Sequence, residues 1–225
     1  MTANQESEKP LRSTPAIVAD ALRGEILDGT IGPGERINVR ELGRRLEVSH
    51  IPIREAVRLL EAEGFVETCP NVGAVAAGLS LVELEEVYDL RRMIEPVVVT
   101  RSVAAMSDDH VLVIRCALDD LEERERRADG IDHDVAIAHR RFHWELLAPG
   151  ASPLVERTLR GLWRISERYV RRTRGAALPV ADEQHSRMVE LCEHRDADAL
   201  ADLLNDHLYL AANTLKILYD QDPES

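Results

Sequence analysis

From Ser80 onward this chain never alternates apolar and polar residues in the two-residue rhythm of a strand. Its apolar residues recur at helical spacing, interrupted only by short stops, so most of the molecule has to bury itself by packing helices on helices. Ser80-Leu81-Val82-Glu83 has the form of a capping box and predicts a long helix to about Ala105, with a kink at Pro96. Ser107 or Asp108 opens a second helix that ends near Asp129-Gly130. A third is expected from about Asp132 to Ala148, stopped by the PGASP run, and a fourth from about Pro153 to Arg174. The last two fall at about Val180 to His194 and Ala197 to Tyr219. A composition rich in Leu, Val and Ala with only 4% aromatic residues suits an antiparallel helical bundle.

The preceding residues follow a different grammar. AIVADALRGEILDG carries apolar residues at Ile17, Ala21, Leu22 and Ile26, a helical stripe that ends near Gly29. TIGPGERI is a turn-rich connector, VRELGRRL a short helix, and EVS the turn that follows. HIPIREAVRLLEAEG is a further helix whose buried side is expected to be Ile53, Val57, Leu59 and Leu60. Ser49 is placed to cap it, and Pro52 is tolerated because first-turn amides lack helical partners. FVETCPNVGAVAAGL reads as two short strands around Pro70-Asn71-Val72-Gly73, with glycine where positive φ is useful. Helix, short helix, turn, helix and hairpin together describe a winged helix-turn-helix, whose second helix fits a major groove. The expected fold is therefore mainly α: an N-terminal winged helix-turn-helix with a small β-hairpin wing, then a C-terminal all-α antiparallel bundle. The domain limits are 1–10 for a disordered tail, 11–78 for the head and 79–222 for the bundle.

Bulk properties narrow the function. The net charge of −13 speaks against a wholly nucleic-acid-coating protein, but it is uneven. Residues 80–225 hold 19 Lys and Arg against 29 Asp and Glu, whereas residues 35–58 hold 6 Arg against 4 Glu. A small basic patch on an acidic body suits contact with DNA at one place. No apolar run approaches the roughly 20 residues a membrane helix needs, and MTANQESEKPLRSTP has no apolar signal core. Three scattered cysteines, Cys69, Cys116 and Cys192, read as reduced buried thiols, and a cytoplasmic location is expected.

The segment LRGEILDGTIGPGERINVRELGRRLEVSHIPIREAVRLLEAEGFVETCPNVGAVA resembles the DNA-binding domain of GntR-type bacterial regulators. The all-helical remainder, through EVYDLRRMIEP, RRFHWELL, EQHSRMVELC and NDHL, resembles the FCD domain of the FadR subfamily. The resemblance implies DNA contacts from Arg40, Ser49, His50, Pro52 and Arg54, with Asn71 and Gly73 in the wing. His50 stands where the family often has arginine, and Val72 where a basic wing residue is common, so the operator sequence is open. A homodimer on a palindromic double-stranded operator follows from the same resemblance.

The bundle carries the second candidate site. His143 has Ala136 and His139 behind it at helical spacing and Leu146 and Leu147 ahead. His185 is followed by Met188, Val189 and Cys192, and His207 lies among Leu203, Leu204, Leu208 and Ala211. Three helices thus aim histidines inward, and burying an imidazole costs free energy unless its nitrogens find partners. The resemblance implies a divalent metal held by three histidines, here His143, His185 and His207, and by a carboxylate where this chain has His139. Either His139 ligates, giving a softer set suited to zinc or nickel that leaves the ion's charge uncompensated, or it stands aside. An anionic effector would then bind with extra electrostatic gain. Arg91 matches the family's arginine beside the ligand, suited to a small carboxylate such as a sugar acid, hydroxy acid or dicarboxylate; an ordinary pair with Glu95 is the other reading. Trp144 and Trp163 are expected in the core or lining the site, and the arginine runs at 122–127 and 168–174 are expected to face solvent, with one arginine of the second run able to border the cavity. A zinc hydrolase would need HExxH, but Arg140 occupies the position of the proton-accepting Glu. The expected protein is a ligand-responsive repressor, not an enzyme, with a metal-responsive regulator as the alternative.

Overall fold

A computed structural model of the chain describes residues 14–128, 133–172 and 181–221. The chain divides into two compact units, Met1–Gly78 and Leu79–Ser225. The expected tail at 1–10 lies outside the described residues, as do the expected helix ends at Asp129-Gly130, Asp132, Arg174 and Val180.

The first unit runs α1 (Thr14–Leu27), α2 (Val39–Arg45), α3 (His50–Ala62), β1 (Val66–Cys69) and β2 (Gly73–Ala76). The strands pair antiparallel, Val66 opposite Ala76 and Cys69 opposite Gly73. Asn71 and Gly73 both take positive φ in the turn, 63° and 98°. The hairpin has a partner that the sequence did not announce. Residues of the turn-rich connector run along β2, with Arg36 bridging Val75 and the Ile37 amide donating to the Ala74 carbonyl at 2.9 Å. The core gathers Val18, Ala19, Leu22, Leu42, Ile53, Ala56, Leu60 and Phe65.

Three local expectations are corrected here. The buried edge of α1 is Val18, Ala19, Leu22 and Leu27, while Ile17 is exposed, because the helix is rotated by about one residue from the expected stripe. Leu59 is also exposed, and Ala56 takes its place inside. Ser49 occupies the N-cap of α3 in extended geometry, yet its hydroxyl makes no capping bond. Arg23 ties the unit together across 40 residues of sequence, donating to Glu63 from Nε at 3.1 Å and Nη2 at 2.7 Å.

The second unit comprises α4 (Leu81–Ala105), α5 (Asp108–Arg127), α6 (His133–Leu147), a 3-10 turn (Ala148–Gly150), α7 (Pro153–Arg172), α8 (Ala181–Glu193) and α9 (Ala197–Asp220). Ser80 and Ser107 cap α4 and α5 by accepting from the Glu83 and His110 amides. Helix α4 passes through the middle, packing on α9, α7, α6 and the 3-10 turn, and it carries Pro96 within its span. Helix α5 packs on α6 and α8. Leu84, Val98, Val99, Ile114, Leu121, Phe142, Leu146, Leu159 and Leu204 form the apolar interior.

The start of α4 is tied down by two phenols. Tyr169 of α7 shares its hydroxyl hydrogen between the Glu83 carboxylate and the Ser80 carbonyl, 3.0 Å away, and accepts from the Ser80 amide at 3.2 Å. Tyr219 of α9 donates to the Leu79 carbonyl at 3.0 Å. Beside Tyr169, Arg168 is buried near Glu83 (3.5 Å), so the first arginine of the 168–174 run is an interior residue. Cys192 is buried, Cys69 is half-buried and Cys116 is exposed, which corrects the expectation of three buried thiols.

Gly150 marks the closest approach of the 3-10 turn to α4. A Cβ there would lie 2.5 Å from the Val98 carbonyl oxygen and 2.5 Å from the Ser102 amide, backbone atoms that cannot turn aside. Gly150→Ala is expected to destabilise the protein by roughly 1–3 kcal/mol through overpacking. Gly161→Ala, within α7 where a Cβ meets nothing inside 4 Å, is expected to stabilise it by about 0.5–1 kcal/mol through helix propensity. Melting curves recorded side by side check this, and two shifts of the same sign would contradict it.

Candidate metal centre

Helix α6 places His139 and His143 one turn apart on the same face. His185 comes from α8 and His207 from α9. The arrangement brings one ligand atom of each ring within 4.8 Å of all the others. Ring centroids stand 4.5 Å apart for His139 and His143, 5.2 Å for His143 and His185, and 4.9 Å for His185 and His207. His143, His185 and His207 are buried and His139 is half-buried. The structure therefore brings together all four imidazoles singled out from the sequence.

The rings are poorly served by the protein. Nε2 of His139 and of His143 face each other at 3.2 Å. Both nitrogens of His185 and Nδ1 of His143 are buried without a partner. A buried donor or acceptor left unmet costs about 1–3 kcal/mol. His207 is the exception, because its Nδ1 meets the Gln184 side-chain oxygen at 2.9 Å. A carbonyl oxygen can only accept, so Nδ1 carries the proton and Nε2 offers its lone pair. Phe142 stands edge-on to His143 and His185, with centroids 5.3 and 5.0 Å away.

Electrostatics keep these rings neutral. Burial lowers the pKa of His139 to about 4, helped by the positive charges of Arg91 and Arg140. Burial first, then His139 and Arg91, brings His207 down to about 3. His143 and His185 are pushed well below the ordinary imidazole value by burial and by the neighbouring rings. Four neutral nitrogen donors, several with no other partner, fit a divalent ion of borderline softness such as zinc or nickel. The cluster contributes no carboxylate to offset an ion's charge.

Arg91 sits beside the cluster, and its pairing with Glu95 is formed, though it is no ordinary surface pair. Arg91 Nε donates to Glu95 Oε1 at 2.7 Å, and both residues are buried. Arg91 also reaches Ser166 Oγ at 3.3 Å, and its guanidinium lies 4.9 Å from the Tyr88 ring centre. Trp163 donates its indole N–H to the same Glu95 oxygen at 2.6 Å, and Trp144 stands edge-on to Trp163. Glu95, Ser166 and Gln184 were missed as site residues. In the sequence Glu95 reads only as an ordinary ion-pair partner of Arg91 one turn away; for Ser166 and Gln184 the sequence offers no signal. Arg140, which rules out the hydrolase motif, pairs with Glu167 of α7.

In the first unit, Arg40, Ser49, His50, Arg54, Asn71 and Gly73 are exposed and Pro52 is half-buried. Arg44 pairs with Glu41 and Arg45 with Glu25. Neither Arg40 nor Arg54 has a carboxylate partner among the described residues, so both guanidinium groups remain available to an external anion. Ile51, between His50 and Pro52, is 70% exposed, unusual for so apolar a side chain.

No helix among the described residues is long and apolar enough to cross a membrane. Residues 16–75 match the family described as bacterial regulatory proteins, gntR family, and residues 86–210 match the FCD domain. The chain is 30% identical over 178 residues to the Nta operon transcriptional regulator of Aminobacter aminovorans, which spans 78% of this chain and 82% of that one. It is 26% identical to the HTH-type transcriptional repressor GlaR of Escherichia coli K12, over 83% and 89% of the two chains. Its fold matches the crystal structure of a transcriptional regulator GntR from Rhodococcus sp. RHA1 with a TM-score of 0.77 at 24% identity, covering 91% of this chain and 98% of the other. The chain thus belongs to the GntR family of bacterial regulatory proteins, in the FCD-containing FadR subfamily, whose members are transcriptional regulators and not enzymes.

Proposed function

We propose that this protein is a repressor that binds a palindromic operator as a homodimer and is modulated by a small organic acid bound beside a divalent metal ion. One observation carries the metal and effector part: four imidazoles, three of them buried, converge within 4.8 Å while several of their nitrogens lack partners. His139, His143, His185 and His207 would hold the ion, with Gln184 fixing the tautomer of His207. When bound, the ion supplies a concentrated positive charge. Because its ligands are neutral and Arg91 adds a further cation, an anion gains more here than at a carboxylate-ligated site. Binding reweights the bundle's conformations and so operator affinity.

The head is proposed to read DNA through Arg40, Ser49, His50, Pro52 and Arg54, with Asn71 and Gly73 positioning the wing. Dimerisation is proposed through the bundle. In support, α4 exposes Leu90, Met93 and Val97 at i, i+3 and i+7, a helical stripe that monomeric proteins seldom leave in water.

Three measurements test these readings. Arg54→Ala is expected to weaken binding to a duplex selected from a random library by about 1–3 kcal/mol, with metal stoichiometry unchanged; unaltered affinity would remove Arg54 from the contact set. Met93→Glu is expected to give a monomer in analytical ultracentrifugation, and an unchanged sedimentation coefficient would remove α4 from the interface.

The third concerns the metal. Free imidazole titrates near pH 6.5, and the folded values lie far lower, about 4 for His139 and about 3 for His207. Between these limits the unfolded chain takes up protons that the folded chain refuses. Stability of the chelator-treated protein is therefore fully present above pH 6.5 and falls as pH drops toward 4. At pH 7.5, zinc or nickel at a hundredfold excess over Kd is expected to raise Tm by roughly 5–10 °C. His143→Ala and His185→Ala are expected to lose that rise. Indifference of the wild-type Tm to both ions would end the metal reading; operator affinity that responds to the ion alone, with no acid present, would favour a metal-responsive regulator.

A further inference from the structure

The carboxyl group of Glu95 is served on one side only. Oε1 accepts from both Arg91 Nε (2.7 Å) and Trp163 Nε1 (2.6 Å). Oε2 belongs to a residue with 0% exposure and has no hydrogen-bond partner. A carboxylate paired with a guanidinium can only accept, so Oε2 calls for a donor. Hydrogen bonds to charged groups are among the strongest, and leaving one unmade in the interior is costly. Arg91 joins the two regions. Ser166 of α7 accepts from Arg91 at 3.3 Å, and the next residue, Glu167, pairs with Arg140, the neighbour of His139 on α6.

The local order is therefore a cluster of electron-pair donors, then a cation, then a carboxylate oxygen without a partner. An acid seated against the metal and Arg91 would come next to this carboxyl group. A hydroxyl or ammonium group on the acid satisfies Oε2. A second carboxylate meets it with like charge, and a plain alkyl chain leaves it unmet. Discrimination by a buried polar group against ligands that lack its partner is far larger than discrimination by apolar fit.

We propose that Glu95 is the specificity-determining residue of the effector site, selecting acids that carry a hydrogen-bond donor and rejecting dicarboxylates and unsubstituted acids. This rests on the proposed reading of the bundle as a metal-assisted carboxylate site.

The test uses the zinc-loaded full-length chain and calorimetric titration with matched pairs: lactate against propionate, 3-hydroxybutyrate against butyrate, and gluconate against hexanoate, with glutarate as a dicarboxylate. In at least one pair the hydroxylated member is expected to bind at least about tenfold tighter than its partner, and tighter than glutarate. Equal affinity within every pair overturns the assignment, and so does glutarate binding as tightly as the best hydroxy acid; equal affinity is also the result if Oε2 meets only a buried water. Glu95→Gln keeps an oxygen for Arg91 and Trp163 and turns the other position into a donor. It is expected to shrink the hydroxyl preference and strengthen glutarate, with zinc stoichiometry retained; an unchanged preference counts against Glu95. Should the variant not fold, Glu95→Asp takes its place: it withdraws the carboxylate by one methylene and is expected to shrink the hydroxyl preference, including any part not due to chelation of the zinc by the acid's own hydroxyl, and an unchanged preference counts against Glu95. If zinc binds but no acid does, the effector reading itself fails, which is distinct from acids binding without discrimination.

Discussion

Imidazoles in a dry interior need something to meet their lone pairs and protons, and this bundle supplies very little from its own chain. Three helices, α6, α8 and α9, deliver buried histidines to one point, and α6 delivers a fourth from one turn away. The surrounding packing is what a core requires: Phe142 against two of the rings, and Leu146, Met188, Leu204 and Leu208 buried on the same helices. Nitrogens left unmet in that packing cost free energy that apolar side chains would not. Stability is being given up at this point, which is how sites of function differ from the cores around them.

Beside the rings, α4 contributes the buried Arg91–Glu95 pair. Taking both charges out of water is costly, and such a pair holds only where its remaining donors and acceptors are met. Trp163 and Ser166 of α7 meet part of the requirement. Helix α4 is therefore fixed on one side by charge and hydrogen bonding. On another it is fixed by bare contact, where Gly150 lets the 3-10 turn come against its backbone.

Much of this was legible before the structure, for definable reasons. Turn residues and caps punctuate the head so densely that its order of elements could be read directly, and Ser80 and Ser107 open their helices as their sequence context suggests. The inward histidines were legible because apolar residues flank them at helical spacing. The failures also have a pattern. Periodicity fixes a buried face only to about one residue, so Val18 is inside where Ile17 was expected, and Ala56 where Leu59 was expected. Contacts between distant segments were illegible: the connector running along β2, Arg168 drawn inside near Glu83, and the hold of Trp163 on Glu95, 68 residues away. An arginine in a basic run looks solvated until its partner is known.

The two phenols at the start of the bundle connect these regions. Tyr169 lies three residues beyond Ser166 on α7, and Tyr219 lies twelve beyond His207 on α9. Each clasps the backbone at Leu79 or Ser80, where the helical body begins. The two rods that end at this threshold are the same rods that carry residues of the interior site. Any displacement of α7 or α9 is thus also a pull on the doorway through which the chain enters its second half, and the grip on that doorway is a few hydrogen bonds made by two hydroxyls.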